Sequence, residues 1–322
     1  MRSIRVLYHD NCFDGVSSAA VFSRFYRAHV DQNADIGYEG LTHKAGQHIA
    51  PEQFGSAENA IVDFKYSSSE KLTWWFDHHE SAFLSTEDEA HFRRDHSGQK
   101  FHDPSFKSCT KFIAHITRTV FGLSMPDLDE LIHWADIIDG AQFPDAQSAV
   151  ELKEPAMKLM LVIEAAHNSR LIHKIIGDLQ SRSLAQVIED PAVRETFDQL
   201  YKHHVESIDI MRRAAHFKDG VIEFDVSDHD LDGYNKFIPY YLFPESVYCV
   251  GVSQSPLRAK VSVGTNPWTP RERRHNLAKL CEQYGGGGHA VVAAISFKPG
   301  ELDNARAAAR EIAEKLQHDL RQ

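Results

Sequence analysis

The apolar run Trp74-Trp75-Phe76 delivers three ionisable side chains in a row, Asp77-His78-His79. A carboxylate beside two imidazoles suits divalent-cation ligation and acid–base chemistry. The chain has 20 His, so adjacent pairs arise without purpose, and His203-His204 is one of them. The triplet gains meaning from three other segments of the same design. Ile4-Arg5-Val6-Leu7-Tyr8 runs into His9-Asp10-Asn11-Cys12-Phe13-Asp14-Gly15, and Ala60-Ile61-Val62 runs into Asp63. The helical stretch Leu131-Ile132-His133-Trp134-Ala135 ends in Asp136, with Asp139 beyond it. Oxygen donors with a few imidazoles favour Mn²⁺ or Mg²⁺ over thiolate-loving ions.

Such groups can meet only if the chain brings them to one edge. Residues 1–140 alternate strand and helix, the pattern of a parallel α/β sheet, whose ligands collect at the carboxyl ends of its strands. After the first strand, apolar residues recur at helical spacing from Val16 to Val30. Ser67-x-x-Glu70 has the capping-box pattern and predicts a second helix start. Residues 85–106 are polar and read as a long surface loop, and helices are expected over 108–120 and 127–139. From 151 to 216 the pattern is helical throughout. Strands return at 221–226, 246–253 and 257–263, followed by helices near 276–283 and after Leu302. The expected organisation is α/β: a parallel-sheet domain at 1–150, a helical connector at 151–216 and a smaller α/β domain at 217–322.

The order His-x-x-x-x-Asp-Gly, strand-end Asp, Asp-His-His, helical Asp resembles the DHH phosphoesterase superfamily. Gly285-Gly286-Gly287-Gly288-His289 resembles the second signature of its DHHA1 subgroup, so the likeness runs from His9 to His289. It implies two divalent cations, Mn²⁺ ahead of Mg²⁺, with His9 on one, Asp14 on the other and Asp63 bridging them. His78 is then a ligand, His79 acts on the phosphoryl group and Asp77 orients an imidazole. Asp136 is the fourth carboxylate, preferred over its rival Asp139 because it directly follows the apolar segment. The first motif departs from the common family spacing, so His9 and Asp10 compete for one ligand role. Asp10 reads equally well as an Asx-turn residue; Cys12 reads as a small packed side chain, with metal ligation as its alternative, so which of His9, Asp10 and Cys12 completes the first site stays open. The segment from Ser105 to Thr110 reads as a helix cap.

In the last hundred residues, the glycines allow backbone N–H groups to approach an anion, with a helix N-terminus expected to follow them. Arg258, Lys260 and Ser262 share one face of an alternating strand. Together with Gly286, Gly287, Gly288 and His289, Arg258 and Ser262 form the expected substrate-binding set. The Gly-rich stretch also nominally fits a dinucleotide fingerprint, but too little chain follows for the βαβ unit that motif needs.

Composition narrows the function. The chain of 322 residues carries a net charge of −11, with 46 acidic against 35 basic residues and no basic stripe. That argues against tracking long duplex DNA. No apolar run approaches the roughly 18 residues of a membrane span. The four Cys are scattered without a Cys-x-x-Cys pair, which fits a reducing cytoplasm. The expected activity is metal-dependent hydrolysis of a small phosphodiester: a short oligonucleotide, a cyclic dinucleotide or a nucleotide bisphosphate. Pyrophosphate or polyphosphate hydrolysis and a catalytically silent nucleotide-binding protein are the alternatives, and a homodimer is compatible with the sequence.

Overall fold

The computed structural model describes residues 2–42, 49–165, 168–229, 231 and 233–322. They fall into two compact units: 1–143 with 153–200, and 144–152 with 201–322.

The first unit is built on five parallel strands, β1 (Ser3–His9), β2 (Asp35–Leu41), β3 (Glu58–Val62), β4 (Trp74–Asp77) and β5 (Lys100–His102), in the order β2-β1-β3-β4-β5. Strand order reverses at β1, which pairs with β2 on one side and β3 on the other. This switch point lies where a doubly wound sheet opens a crevice beyond its strand ends. α1 (Phe13–His29) follows β1 directly. The sheet is apolar on both faces, as crossover helices require. Trp74 and Phe76 pack with Phe22, Phe25 and Phe112 on one side, while Trp75 packs with Leu7, Ile61 and Tyr66 on the other.

Two local expectations fail for identifiable reasons. The Ser67 pattern opens no helix: its hydroxyl accepts the Ser69 N–H, and the Ser69 hydroxyl accepts the Lys71 N–H. Such short-range bonds compete with helix formation. The polar stretch 85–106 contains α2 (Thr86–Arg93), capped by Ser85, as well as β5. Phe92 is the one large apolar residue of α2 and packs against Trp75, too little to show a period. α3 (Cys109–Thr119) and α4 (Asp129–Asp139) match their expected spans closely.

The helices between 155 and 200 share the core of the first unit. α6 (Pro155–Ala165), α7 (Ser169–Leu179), α8 (Leu184–Ile188) and the start of α9 (Pro191–Ala214) bury Leu159, Ile163, Ile176, Val187 and Val193 in the same core as α1 and α3. The short α5 (Ala146–Val150) belongs to the second unit, where His204 Nε2 contacts the Val150 carbonyl at 2.7 Å.

The second unit has six strands: β6 (His216–Lys218), β7 (Val221–Asp225), β8 (Tyr248–Ser255), β9 (Arg258–Thr265), β10 (Gly287–His289) and β11 (Val292–Phe297). Their order is β10-β11-β9-β8-β7-β6, and only β7 and β8 pair in parallel. α10 (Ile238–Leu242), α11 (Leu277–Glu282) and α12 (Leu302–Leu320) complete it. Strand β9 buries Ala259, Val261 and Val263 alternately, as its sequence demands. No helix among the described residues is long and apolar enough to cross a membrane.

Candidate metal centre

At the carboxyl edge of the first sheet, four chain segments bring His9, Cys12, Asp14, Asp63, His78, His79 and Asp139 together. Each arrives by a different device. His9 is the last residue of β1, and Asp14 sits in the first turn of α1. The turn between them is so tight that a Cβ on Gly15 would lie 2.1 Å from the His9 carbonyl oxygen, so only glycine fits. Asp63 follows β3 with φ at +57°, a left-handed conformation that Asp tolerates better than most side chains. Its N–H still donates to the Phe76 carbonyl at 2.9 Å, which anchors it to β4.

Asp63 is buried, and its two oxygens face different groups. Oδ2 lies 3.2 Å from His9 Nδ1 and 3.8 Å from Cys12 Sγ. Oδ1 lies 3.3 Å from His78 Nε2 and 3.9 Å from His79 Nδ1. His78 Nε2 also stands 3.5 Å from Asp139 Oδ2 and 3.8 Å from Asp14 Oδ2. The His78 Nδ1 contacts the Phe106 carbonyl at 3.2 Å. A carbonyl can only accept, so Nδ1 carries a proton and Nε2 is turned toward three carboxylates. His78 Nε2 and Asp63 Oδ1 are both buried and meet each other as an ion pair at 3.3 Å, without good hydrogen-bond geometry. A buried nitrogen and oxygen so loosely satisfied among like-charged carboxylates suit a shared cationic partner. These residues therefore fit divalent cations.

Asp14 is held by the N-terminus of α3. The Cys109 N–H donates to its Oδ2 at 2.6 Å and the Thr110 N–H to its Oδ1 at 3.0 Å. The Ser108 hydroxyl caps the same helix by accepting the Lys111 N–H at 3.2 Å. Three of the four unpaired N–H groups at this helix start are thus satisfied, two of them by a buried anion.

Asp77 plays a supporting part. Its Oδ1 accepts the backbone N–H of His78 at 2.8 Å and of His79 at 3.3 Å, and lies 2.7 Å from His79 Nδ1. This fixes the His79 ring, which is 34% exposed. His102 holds the same turn by donating from Nε2 to the His79 carbonyl at 2.8 Å, and its ring stacks on Trp75.

The charges are strongly coupled. Burial holds the Asp14 carboxyl well above the usual range, aided by Asp63 and Asp139. Burial and then Asp63 push Asp139 up to about 6. For Asp63 burial works in the same direction, but His78 and His9 outweigh it and keep the carboxyl below its ordinary range. Burial disfavours a charged His78, yet Asp63, Asp14 and Asp139 prevail and push it up to about 10. His79 is raised as well, by Asp77 and Asp63 against burial. Burial pushes the Cys12 thiol up, with Asp63 and Asp14 adding to it. Without metal, the site retains protons at neutral pH to offset its own carboxylates.

The structure places the two candidates for the fourth carboxylate differently. Asp136 turns to Lys111, with Nζ 2.6 Å from Oδ2, and Asp139, one helical turn on, enters the cluster instead. The apolar segment preceding Asp136 shows which face of α4 is buried, but not where that face meets the strand ends. Asp10 is also apart: its Oδ1 accepts the Asn11 N–H at 3.0 Å, and its side chain packs against Gly40. Of the two, His9 is the one that stands beside Asp63. Cys12 Sγ also lies in the cluster, 3.8 Å from Asp63 Oδ2. Sequence reading missed the Phe106 carbonyl and His102; a backbone carbonyl leaves no signal in residue type.

In the second unit no helix N-terminus follows the glycines. Gly287–His289 form β10, paired with β11, and the nearby helix α11 precedes them. A Cβ on Gly286 would lie 2.4 Å from the Ala294 carbonyl oxygen, and one on Gly288 2.6 Å from Ala293 Cα. Close strand pairing thus explains these two glycines without a ligand. Arg258 donates to the Ser296 hydroxyl at 3.2 Å. Ser262 is half-buried and His289 exposed.

No family model and no curated protein sequence matches the chain. Solved structures do. A pGpG-specific phosphodiesterase, PggH from Vibrio cholerae, superposes with a TM-score of 0.69 at 17% identity, covering 100% of this chain and 99% of that one. The DHH domain of a protein assigned to a family of ribosomal proteins gives 0.54 at 14% identity, over 96% and 86%. RecJ from Thermus thermophilus, in complex with Mn²⁺, gives 0.55 at 12% identity, over 98% of this chain but 52% of RecJ.

Proposed function

We propose that this chain, whose fold is the DHH fold, is a divalent-cation-dependent phosphoesterase that hydrolyses a small phosphodiester. The observation that carries the reading is Asp63, whose two oxygens serve two separate groups of donors. A carboxylate so shared suits two cations close together, which need anionic charge between them. His9 and Asp63 would hold one cation; Asp14, Asp63, His78 and Asp139 would hold the other, with Mn²⁺ favoured by the oxygen-rich set. When bound, the cations supply Lewis acidity and a water of lowered pKa.

The protein's own residues do the rest. The α3 amides and the Phe106 carbonyl fix Asp14 and His78 before any ligand arrives, so little reorganisation accompanies binding. Asp77 accepts from His79 Nδ1, which leaves the other ring nitrogen as the group to donate to a phosphoryl or leaving oxygen. Arg258, Ser262, Gly287 and His289 are proposed to recognise the anionic or nucleotide portion of the substrate, with Gly286 and Gly288 serving the strand pairing beside them.

A dinucleotide-sized substrate is favoured within this class. The chain matches PggH over nearly its whole length, whereas it spans about half of RecJ. Its net charge of −11 gives long strands no basic track. The test is a Mn²⁺-dependent screen of linear and cyclic dinucleotides, short RNA, nucleotide bisphosphates, pyrophosphate and polyphosphate. Release of mononucleotide from linear dinucleotides, lost in Asp63→Ala, is expected. Cleavage of polyphosphate alone would transfer the chain to the pyrophosphatase-like alternative, and hydrolysis that survives Asp63→Ala would refute the shared-carboxylate reading.

A further inference from the structure

The two groups of donors around Asp63 differ in chemistry. Asp14, His78 and Asp139 offer oxygen and one imidazole, while His9, Cys12 and Asp63 offer nitrogen, sulfur and oxygen. Cys12 occupies the N-cap of α1, a position that favours Ser, Thr, Asp or Asn, yet its side chain caps nothing. The thiol turns instead to Asp63 Oδ2, at 3.8 Å, the same oxygen that His9 Nδ1 meets at 3.2 Å. Donors at roughly 2.0–2.3 Å from a tetrahedral zinc lie roughly 3.3–3.6 Å from one another. The observed separations bracket that range. The other oxygen of Asp63, a residue only 1% exposed, faces His78 Nε2 at 3.3 Å, so this one buried carboxylate separates the two donor groups.

We infer that the His9–Cys12–Asp63 position takes a thiolate-accepting divalent cation of the zinc, cobalt or ferrous type in preference to Mg²⁺ or Mn²⁺. The inference rests on the proposed metal-dependent reading and divides its two positions by chemistry. Sulfur is a poor donor to Mg²⁺ and Mn²⁺ and a good one to Zn²⁺ and Co²⁺. Binding there releases the thiol proton to solvent, since the thiolate is the ligand. The Asp14–His78–Asp139 position, with no sulfur, keeps its preference for a harder ion. One chain thus carries two unlike cations on either side of one carboxylate.

Co²⁺ reports the difference directly. Metal-free full-length protein is titrated with Co²⁺ while a calorimeter counts ions bound and a spectrophotometer follows the near-ultraviolet thiolate-to-cobalt charge-transfer band. The band is expected in the wild type and absent in Cys12→Ser and Cys12→Asp. The other three cysteines, all buried, remain in both variants as internal controls. Competition between Zn²⁺ and Mn²⁺ should shift toward Mn²⁺ by at least about tenfold in Cys12→Asp, the order by which ligand surroundings tune affinity. Circular dichroism and melting curves confirm that each variant folds. Stoichiometric Co²⁺ binding without the band, or a band that survives Cys12→Ser, would overturn the inference while leaving metal dependence intact. Failure to bind any Co²⁺ or Mn²⁺ would overturn the underlying reading as well.

Discussion

Metal affinity should climb steeply with pH, because protons and cations compete for the same atoms. In the metal-free protein the carboxylates around His78 push its pKa up to about 10, against burial, and Asp139 reaches about 6 through burial and Asp63. Between those values a cation entering the cluster must displace at least the proton on His78, and any proton that the raised Asp14 retains adds to it. Each pH unit then changes the apparent affinity at least about tenfold. From about pH 6.5 to 8.5 the Mn²⁺ affinity should rise at least on the order of 100-fold, or about 2.7 kcal/mol. Below about pH 6 a second proton, on Asp139, steepens the dependence further. Stability of the metal-free protein should run the opposite way. His78 is raised in the fold, so its contribution is fully present below its ordinary value of 6.5 and is lost as pH rises through about 10. The metal-free melting temperature should therefore fall over that interval, and saturating Mn²⁺ should reverse the trend. Calorimetric titration in buffers of different ionisation enthalpy measures both the affinity and the protons released. An affinity that stays flat over this interval, with no proton released, would show that the cluster does not hold the charge its geometry requires.

Other perturbations separate the roles of neighbouring residues. Asp139→Ala should weaken Mn²⁺ binding at least tenfold, whereas Asp136→Ala should leave it unchanged and cost at most about 1 kcal/mol of stability for the exposed Lys111 pair; a metal titration of both variants decides between the two carboxylates. His79→Ala should lower kcat by a factor on the order of 10²–10⁴ with little change in metal stoichiometry. Asp77→Asn should reproduce much of that loss, because the ring loses the carboxylate that fixes it, and an unaltered kcat would remove Asp77 from its orienting part. Gly15→Ala should destabilise the fold by about 1–3 kcal/mol, since the added methyl meets the His9 carbonyl, and a melting curve matching the wild type would contradict that packing.

The elements were legible where one period governed a whole segment. Strand β9 alternates, α12 keeps a helical stripe, and four strand-end motifs announced one edge of a sheet. The reading failed where local polar bonds or short spans decided the outcome. Ser67 and Ser69 spend their hydroxyls on nearby N–H groups, and β10 is a strand of three residues whose glycines serve close pairing with β11. Within the site, residue types pointed to His9, Asp14, Asp63 and His78, but choosing between Asp136 and Asp139 needed the angle at which α4 meets the sheet. Helical periodicity marks the face that is buried; it does not say which turn of that face reaches the strand ends.

The metal-free site works against itself, and this bears on how it is maintained. Asp63 adopts a left-handed φ, Asp14 and Asp139 are held near it, and His78 turns Nε2 toward all three. Strain and like charges of this kind persist only when surrounding structure enforces them. Here the enforcing groups belong to regular elements: the α3 amides on Asp14, the Phe106 carbonyl on His78, and the Phe76 carbonyl on the Asp63 N–H. Their cost is met during folding, by the core that seats α3 against β4 and α1. A cation that binds afterwards relieves repulsion without having to organise its ligands. Loosening the support should therefore weaken metal binding. Asp63→Asn offers the sharpest case, because Asn keeps the tolerance for positive φ and removes one charge. Its metal-free melting temperature should fall below that of the wild type, because the ion pairs with His78 and His9 are lost, and its Mn²⁺-induced rise should be largely lost. A variant that melts well below the wild type yet still gains fully from Mn²⁺ would mean that Asp63 serves the fold and not the ion.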